Sequence, residues 1–167
     1  MTSDEITKYL NELNDELSSA NINGEVTIYG GAVMCLVYEA RPATKDVDAI
    51  FRPTSEIRTF ISRIAERNDL PPDWLNDGVK GFLVAHPQRI LFDLSNLKVY
   101  VPEPDYMLAM KALSARADTY DQTDIRILIT KLGLTQPADV FAVLEKYYPQ
   151  QQIRPATRYF IEELFGQ

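Results

Sequence analysis

The chain has 167 residues, of which 46% are hydrophobic and 25% are charged. That length suits one compact domain with its own core, and the composition is typical of a soluble globular protein rather than a disordered, fibrous or membrane protein. The net charge of −7 argues against a protein whose affinity comes from neutralising many phosphates with a basic face.

The first residues, MTSDEITKYL, are charged where a signal peptide would be apolar. The longest apolar run, AVMCLVY, is far shorter than the roughly 20 residues that a membrane-spanning helix needs. We therefore expect a cytoplasmic protein with no membrane partner. Cys35 is the only cysteine, which excludes intramolecular disulfides and cysteine-based zinc sites, and its apolar neighbours predict a buried, unreactive thiol. His86 is the only histidine, which disfavours Ser-His-Asp and Cys-His chemistry.

The first third of the chain predicts a helix, a strand and a second helix. Apolar residues recur at helical spacing from Ile6 to Leu17, and Ser3 can cap the start of this amphipathic helix. The segment EVTIYGG then predicts a short strand that runs into a glycine turn. The segment AVMCLVYEA has the length and composition of a buried helix.

The middle of the chain predicts the rest of a sheet. DVDAIF alternates polar and apolar residues as a strand does, and the helix that follows from Thr54 is capped by Thr54 or Ser55. PPDWLNDGVKGF predicts a short helix or turn region that begins with prolines. RILFDL and LKVYVPEP predict two strands of a hairpin joined through SN, and the prolines end the sheet.

Every segment after Pro104 predicts helix, including one that ends at Gly133 and one with Pro155 near its first turn. The sequence thus predicts a single domain, residues 1–167, with a mixed α+β fold. We expect a small, mostly antiparallel or mixed sheet flanked by helices over residues 1–103, followed by a helical region over residues 104–167.

Two features near the start of the predicted sheet point to chemistry. Asp46 and Asp48, two residues apart on one strand, project to the same face with Cα atoms about 6.5–7 Å apart, so both carboxylates can converge on Mg²⁺. Gly30 and Gly31 stand at a strand-to-helix turn, where the backbone can approach a phosphate closely. Each feature alone also fits a tight turn or a solvated strand face; together they indicate a nucleotide site.

The segment YGGAVMCLVYEARPATKDVDAIF resembles the signature of the DNA polymerase beta-like nucleotidyltransferase superfamily. The resemblance implies that Asp46 and Asp48 bind the divalent metals, Mg²⁺ or Mn²⁺, that carry a nucleoside triphosphate. It also implies a third carboxylate on a later strand. Asp93 in ILFDLSNL is the first choice for it, and Asp77 in WLNDGVKGF is the competitor.

DWLNDGVKGF and the segment from Leu97 to Gly133 resemble small bacterial nucleotidyltransferases related to AbiEii-type toxins. This resemblance implies nucleotide binding by Thr44 and Lys111. It extends more weakly to a set of residues in the helical half: Arg116, Asp121 and Asp124.

The helical residues also have structural interpretations. Lys111, in a strongly apolar helix, either snorkels to solvent or reaches a phosphate, while Arg116, Asp121 and Asp124 are suited to an ion-pair network between helices. The basic and aromatic segment KYYPQQQIRPATRYF either clamps a nucleic-acid end or docks the last helix through its aromatic rings. Trp74 is expected to be a packing anchor.

The sequence therefore predicts a metal-dependent nucleotidyltransferase that moves a nucleoside monophosphate from an NTP to a hydroxyl of RNA, protein or a small molecule. The AbiEii resemblance adds a toxin role with an antitoxin partner. The alternative is a weakly active or inactive fold retained as a nucleotide-binding or regulatory module, and the third carboxylate discriminates between the two. An unrelated metal-dependent phosphohydrolase would bring more histidines or carboxylates around the pair.

Overall fold

The computed structural model describes residues 1–114, 119–149 and 151–166. The chain forms two compact units. The sheet unit comprises residues 1–83 and 88–102, and the helical unit comprises residues 84–87 and 103–167. The predicted fold class, a mixed α+β fold with a helical C-terminal half, is confirmed.

The sheet unit contains a five-stranded mixed sheet in the order β3-β2-β1-β5-β4. β1 is antiparallel to β2 and parallel to β5, β2 is parallel to β3, and β5 and β4 form the predicted antiparallel hairpin. The strands are β1 Gly24–Tyr29, β2 Val47–Arg52, β3 Leu75–Asn76, β4 Gln88–Asp93 and β5 Leu97–Pro102. The helices are α1 Ser3–Ser19, α2 Gly30–Leu36 and α3 Thr54–Asn68, with a 3-10 helix at Gly78–Phe82.

The two faces of the sheet differ in burial. On β2, Val47 and Ala49 are fully buried, whereas Asp48 and Ile50 on the other face are half-buried. Helices α1 and α3 pack against the buried face, where a Cβ added to Gly24 would lie 2.8 Å from Leu17 of α1. We call the opposite face, which carries Asp48 and Ile50, the aspartate face.

Three local details differ from the sequence prediction. The cap of α1 is Thr2 rather than Ser3, because Thr2 and Glu5 form a reciprocal capping box that also lowers the pKa of Glu5. Thr54 is the first residue of α3, not its cap. The WLND segment holds strand β3 and not only a turn, because pairing with β2 overrides the weak local preference.

The helical unit contains α4 Pro104–Ser114, α5 Thr119–Leu132, α6 Pro137–Tyr147 and α7 Pro155–Phe165. Tyr106 of α4 is fully buried, and its ring stacks on His86 at a centroid distance of 4.0 Å. The Tyr106 hydroxyl accepts the backbone N–H of Val84 at 3.2 Å, so these rings hold the 84–87 segment on the helices. Over the described residues no single helix is long and apolar enough to cross a membrane; α5 from Asp121 and α6 reach that length and composition only together, across a 98° bend.

Candidate functional site

The two aspartates lie at the end of the sheet where β1 turns into α2. Asp48 is paired with Tyr29, the last residue of β1, and Asp46 lies one residue before the start of β2. Both side chains are half-buried. The Gly30 backbone has φ +66°, a left-handed conformation that favours glycine, so the chain leaves β1 and enters α2 within one residue.

Gly30 and Asp48 lie in close contact. A Cβ added to Gly30 would lie 2.9 Å from Asp48 Oδ2, closer than a carbon and an oxygen can pack. The missing side chain therefore leaves space that the Asp48 carboxylate occupies. The structure thus shows a use for this glycine beyond its backbone conformation: it admits the carboxylate beside the start of α2.

Gly31 is packed just as closely, against Thr44 and Arg41. A Cβ added to Gly31 would lie 2.8 Å from Thr44 Oγ1 and 3.1 Å from Arg41 Nη1. The Thr44 hydroxyl donates to the Asp46 carbonyl at 3.3 Å, and the Thr44 backbone N–H donates to the Met1 carbonyl at 2.8 Å. The loop before β2 is therefore fixed from both sides, and it places a hydroxyl and a guanidinium beside the glycine turn.

Asn76, which the sequence analysis did not select, completes this group. It is the last residue of β3 and pairs with Asp48 in the parallel register, and its Nδ2 lies 3.4 Å from Asp46 Oδ2. Trp74 anchors the segment as predicted: its ring is buried and its Nε1 donates to the Ile61 carbonyl at 3.0 Å. The sequence offered one signal for Asn76, the tryptophan two positions before it, because a buried aromatic anchor fixes the position of the residues that follow.

Asp77, the competitor for the third carboxylate, is held elsewhere. Its Oδ2 accepts a hydrogen bond from Arg58 Nη2 at 2.8 Å in a partly exposed ion pair. Arg58 belongs to α3, which packs on the face of the sheet opposite the aspartate face. The structure does not bring the Asp77 carboxylate to Asp46 and Asp48.

Asp93, the first choice for the third carboxylate, lies at the other end of the sheet. It pairs with Lys98 of β5, and Lys98 pairs with Glu25 near the start of β1, whereas Asp48 pairs with Tyr29 at the end of β1. With the usual strand spacing and rise, the Asp93 and Asp48 backbones are about 14 Å apart across the sheet and about 13 Å along it, or roughly 19 Å in all. A metal bound by Asp48 therefore lies beyond the reach of the Asp93 side chain.

An ion cluster within the helical unit contains three of the four predicted residues of the helical half, Lys111, Asp121 and Asp124. Lys111 is buried, and its Nζ lies 2.9 Å from Asp124 Oδ2 and 3.4 Å from Asp121 Oδ1. Asp124 is only 1% exposed, so its charge needs this partner. Arg116 lies outside the described residues.

The residues at the glycine turn fit a divalent cation in one respect. Asp48 on β2 and Asp46 just before it carry two half-buried carboxylates, and hard cations such as Mg²⁺ prefer oxygen ligands. No group of three or more His, Cys, Asp or Glu side chains that could hold a metal occurs in the described part of the chain. The protein ligands available here are therefore Asp46 and Asp48, with the remaining positions left for water or substrate phosphates.

Comparison with known protein families decides the class. A family described as nucleotidyltransferase of unknown function (DUF6036) matches residues 5–136. The chain belongs to this family. No curated protein and no solved structure matches it in the same comparisons.

The family match covers the sheet unit of this nucleotidyltransferase from residue 5 onward and the helical unit up to the residue before α6. The prediction of a nucleotidyltransferase enzyme is therefore confirmed at the level of the family, and a nucleoside triphosphate substrate is implied by it. The match does not show the relation to AbiEii-type toxins. All the residues at the glycine turn, including Asn76, fall within the matched range.

Proposed function

We propose that this nucleotidyltransferase holds a divalent cation, Mg²⁺ or Mn²⁺, and a nucleoside triphosphate at the glycine turn, with Asp46 and Asp48 as the protein's metal ligands. The observation that carries the proposal is the close contact of the Asp48 carboxylate with Gly30, at 2.9 Å from the Cβ position, in a chain of this family. A carboxylate packed against a glycine turn would bring a cation and a triphosphate to the same place.

The triphosphate lies against Gly30 and Gly31 in this proposal. Neither glycine carries a side chain, so the backbone of the turn can approach a phosphate closely. Arg41, whose Nη1 lies 3.1 Å from the Gly31 Cβ position, supplies a positive charge on the same side. Thr44 supplies a hydroxyl there, and the proposal gives it a nucleotide-binding role.

The reaction is transfer of a nucleoside monophosphate. The acceptor hydroxyl oxygen forms a bond to the α-phosphorus, the bond from that phosphorus to the pyrophosphate oxygen breaks, and the hydroxyl proton is released to solvent. The bound cation would neutralise the negative charge of the phosphates. Asp46 and Asp48 orient it, while Gly30 and Gly31 orient the phosphates.

The acceptor is a hydroxyl of RNA, of a protein or of a small molecule. The net charge of −7 favours a local contact with the acceptor over broad coating of a nucleic acid. We extend the proposal to a cytoplasmic toxin with an antitoxin partner on the sequence resemblance to AbiEii-type toxins. Growth arrest on expression of the parent, absent for the Asp46→Asn/Asp48→Asn variant, is the expected result for a toxin.

A second candidate function is nucleotide binding without efficient transfer. The observation that favours it is the placement of both candidate third carboxylates away from the pair, with Asp77 held by Arg58 and Asp93 at the far end of the sheet. Such a protein would bind an NTP and a divalent cation at the same turn. Its role would be regulatory.

One experiment separates the two functions. The protein is incubated with each α-labelled NTP, Mg²⁺ and total RNA or cell lysate, beside the Asp46→Asn/Asp48→Asn variant, and NTP binding is measured in parallel. Label transfer by the parent alone supports the transferase. Binding without transfer supports the second candidate, and transfer that survives in the double variant contradicts the proposed site.

A further inference from the structure

Asn76 has a side-chain amide whose orientation is set at both ends. Its Oδ1 accepts the backbone N–H of Gly78 at 3.1 Å, and its Nδ2 donates to the Asp73 carbonyl at 3.1 Å. Oxygen and nitrogen of the amide thus have distinct partners, so the amide has one preferred orientation. In that orientation Nδ2 is also 3.4 Å from Asp46 Oδ2.

The backbone around Asn76 is built to keep the amide there. Val47 N–H donates to the Trp74 carbonyl at 2.7 Å, which locks the start of β3 onto β2. A Cβ added to Gly78 would lie 3.1 Å from Asn76 Oδ1, so the turn after β3 closes tightly over the amide oxygen. The buried Trp74 ring ties this segment to the core.

We propose that Asn76 is a positioning residue for the metal site: its amide donates to one oxygen of Asp46 and so directs the other oxygen toward the cation. This inference rests on the proposed function, in which Asp46 is a metal ligand. An ionised carboxylate can rotate freely about its terminal bond, and a fixed donor removes that freedom before the cation arrives. Hydrogen bonds of this kind orient metal ligands in many proteins.

An amide suits this position better than a third carboxylate would. A carboxylate at residue 76 would have no N–H to donate, and it would place a like charge beside Asp46. The Asp73 carbonyl, which accepts from Asn76 Nδ2, would also face an acceptor instead of a donor. The residue therefore acts on the cation through Asp46.

The test measures Mn²⁺ binding to the protein without substrate, by electron paramagnetic resonance of the free ion, together with the melting temperature. The variants are Asn76→Ala and the control Asn68→Ala. Asn68 also donates its amide to a carboxylate, that of Glu12 at 3.1 Å, but it belongs to α3 and lies outside the glycine turn. We expect Asn76→Ala to weaken Mn²⁺ binding by roughly 10-fold, while Asn68→Ala lowers the melting temperature with unchanged Mn²⁺ affinity.

A double-mutant cycle tests whether Asn76 acts through Asp46. Asn76→Ala is combined with Asp46→Asn, and Mn²⁺ affinity is compared with that of each single variant. We expect the Asn76 change to cost about 2-fold or less once the Asp46 carboxylate is gone, because coupled residues are not additive. A full effect in the Asp46→Asn background overturns the positioning role.

The outcomes also separate this inference from the proposed function. A parent that binds Mn²⁺, with an Asn76→Ala variant that binds it equally well, overturns the role of Asn76 and leaves the metal site standing. A parent that binds no Mn²⁺ overturns both. Equal losses of affinity in the Asn76→Ala and Asn68→Ala variants assign Asn76 a general structural role and likewise overturn positioning.

Discussion

The Asp48 carboxylate occupies the space that a side chain at Gly30 would fill, with Oδ2 only 2.9 Å from the Cβ position. The two residues are 18 positions apart, and the antiparallel pairing of Tyr29 with Asp48 brings them together. This contact joins the glycine turn and the aspartates into one site, so a change at either residue disturbs the other.

Gly30→Ala tests this contact. The substitution imposes left-handed strain, about 1–2 kcal/mol, and also drives the methyl group against Asp48. Gly133→Ala is a matched control, since Gly133 has nearly the same φ of +67° but no atom within 4 Å of its Cβ position. We expect a larger loss of unfolding free energy for Gly30→Ala than for Gly133→Ala, measured by urea denaturation. Equal losses would contradict the contact.

Substitutions of Asp48 and Asp93 test which end of the sheet contributes to nucleotide transfer. We expect Asp48→Asn to reduce nucleotide transfer by about 10²-fold or more, since a ligand of the proposed cation is lost. Asp93→Asn, at the far end of the sheet, should leave the transfer rate within about 2-fold, because its side chain cannot reach the proposed metal site. The measurement is initial rate at saturating NTP. A large loss for Asp93→Asn would restore it as the third carboxylate.

Lys111 is expected to be essential for stability. Lys111→Met removes the cation that lies 2.9 Å from the buried Asp124 carboxylate, and breaking a buried ion pair typically costs about 3–5 kcal/mol. The double variant Lys111→Met/Asp124→Leu should recover much of that loss, since two apolar side chains replace the buried pair. Chemical denaturation of both variants checks this. A single variant as stable as the parent would indicate that Lys111 is held for a ligand instead.

Asp105 makes the helical unit sensitive to acid. Burial acts to raise its pKa, but hydrogen bonds from Tyr147, Lys146 and the Tyr106 backbone together outweigh burial and lower the pKa below 3.8. A carboxyl whose pKa is lower in the folded state stabilises the fold above its unfolded value, and that contribution disappears as the pH falls from about 5 through the folded pKa.

Asp105→Asn tests this dependence. We expect the variant to lose roughly 1.5–3 kcal/mol at pH 7, the usual value of a hydrogen bond to a charged group. Between pH 5 and the folded pKa the difference from the parent should shrink, because the parent protonates there. Thermal melting at several pH values checks both points. A constant difference across that range would show that the Asp105 carboxylate is not the titrating group.

The local pattern of the sequence determined much of this protein. The sequence alone predicts three features: the apolar period of α1, the hairpin of β4 and β5, and the glycine turn before α2. Each of them depends on residues that are close together in the chain. The spacing of Asp46 and Asp48 was equally informative, since two residues two positions apart at the start of a strand stay close together whatever the rest of the fold does.

Only the tertiary structure decided which distant residues join that pair. Asp93 has the right chemistry, but the pairing of β4 with β5 carries it to the far end of the sheet. Asn76 looked like part of a turn, yet its pairing with β2 puts its amide beside Asp46. Strand order and register depend on contacts between segments dozens of residues apart, and no local period encodes them.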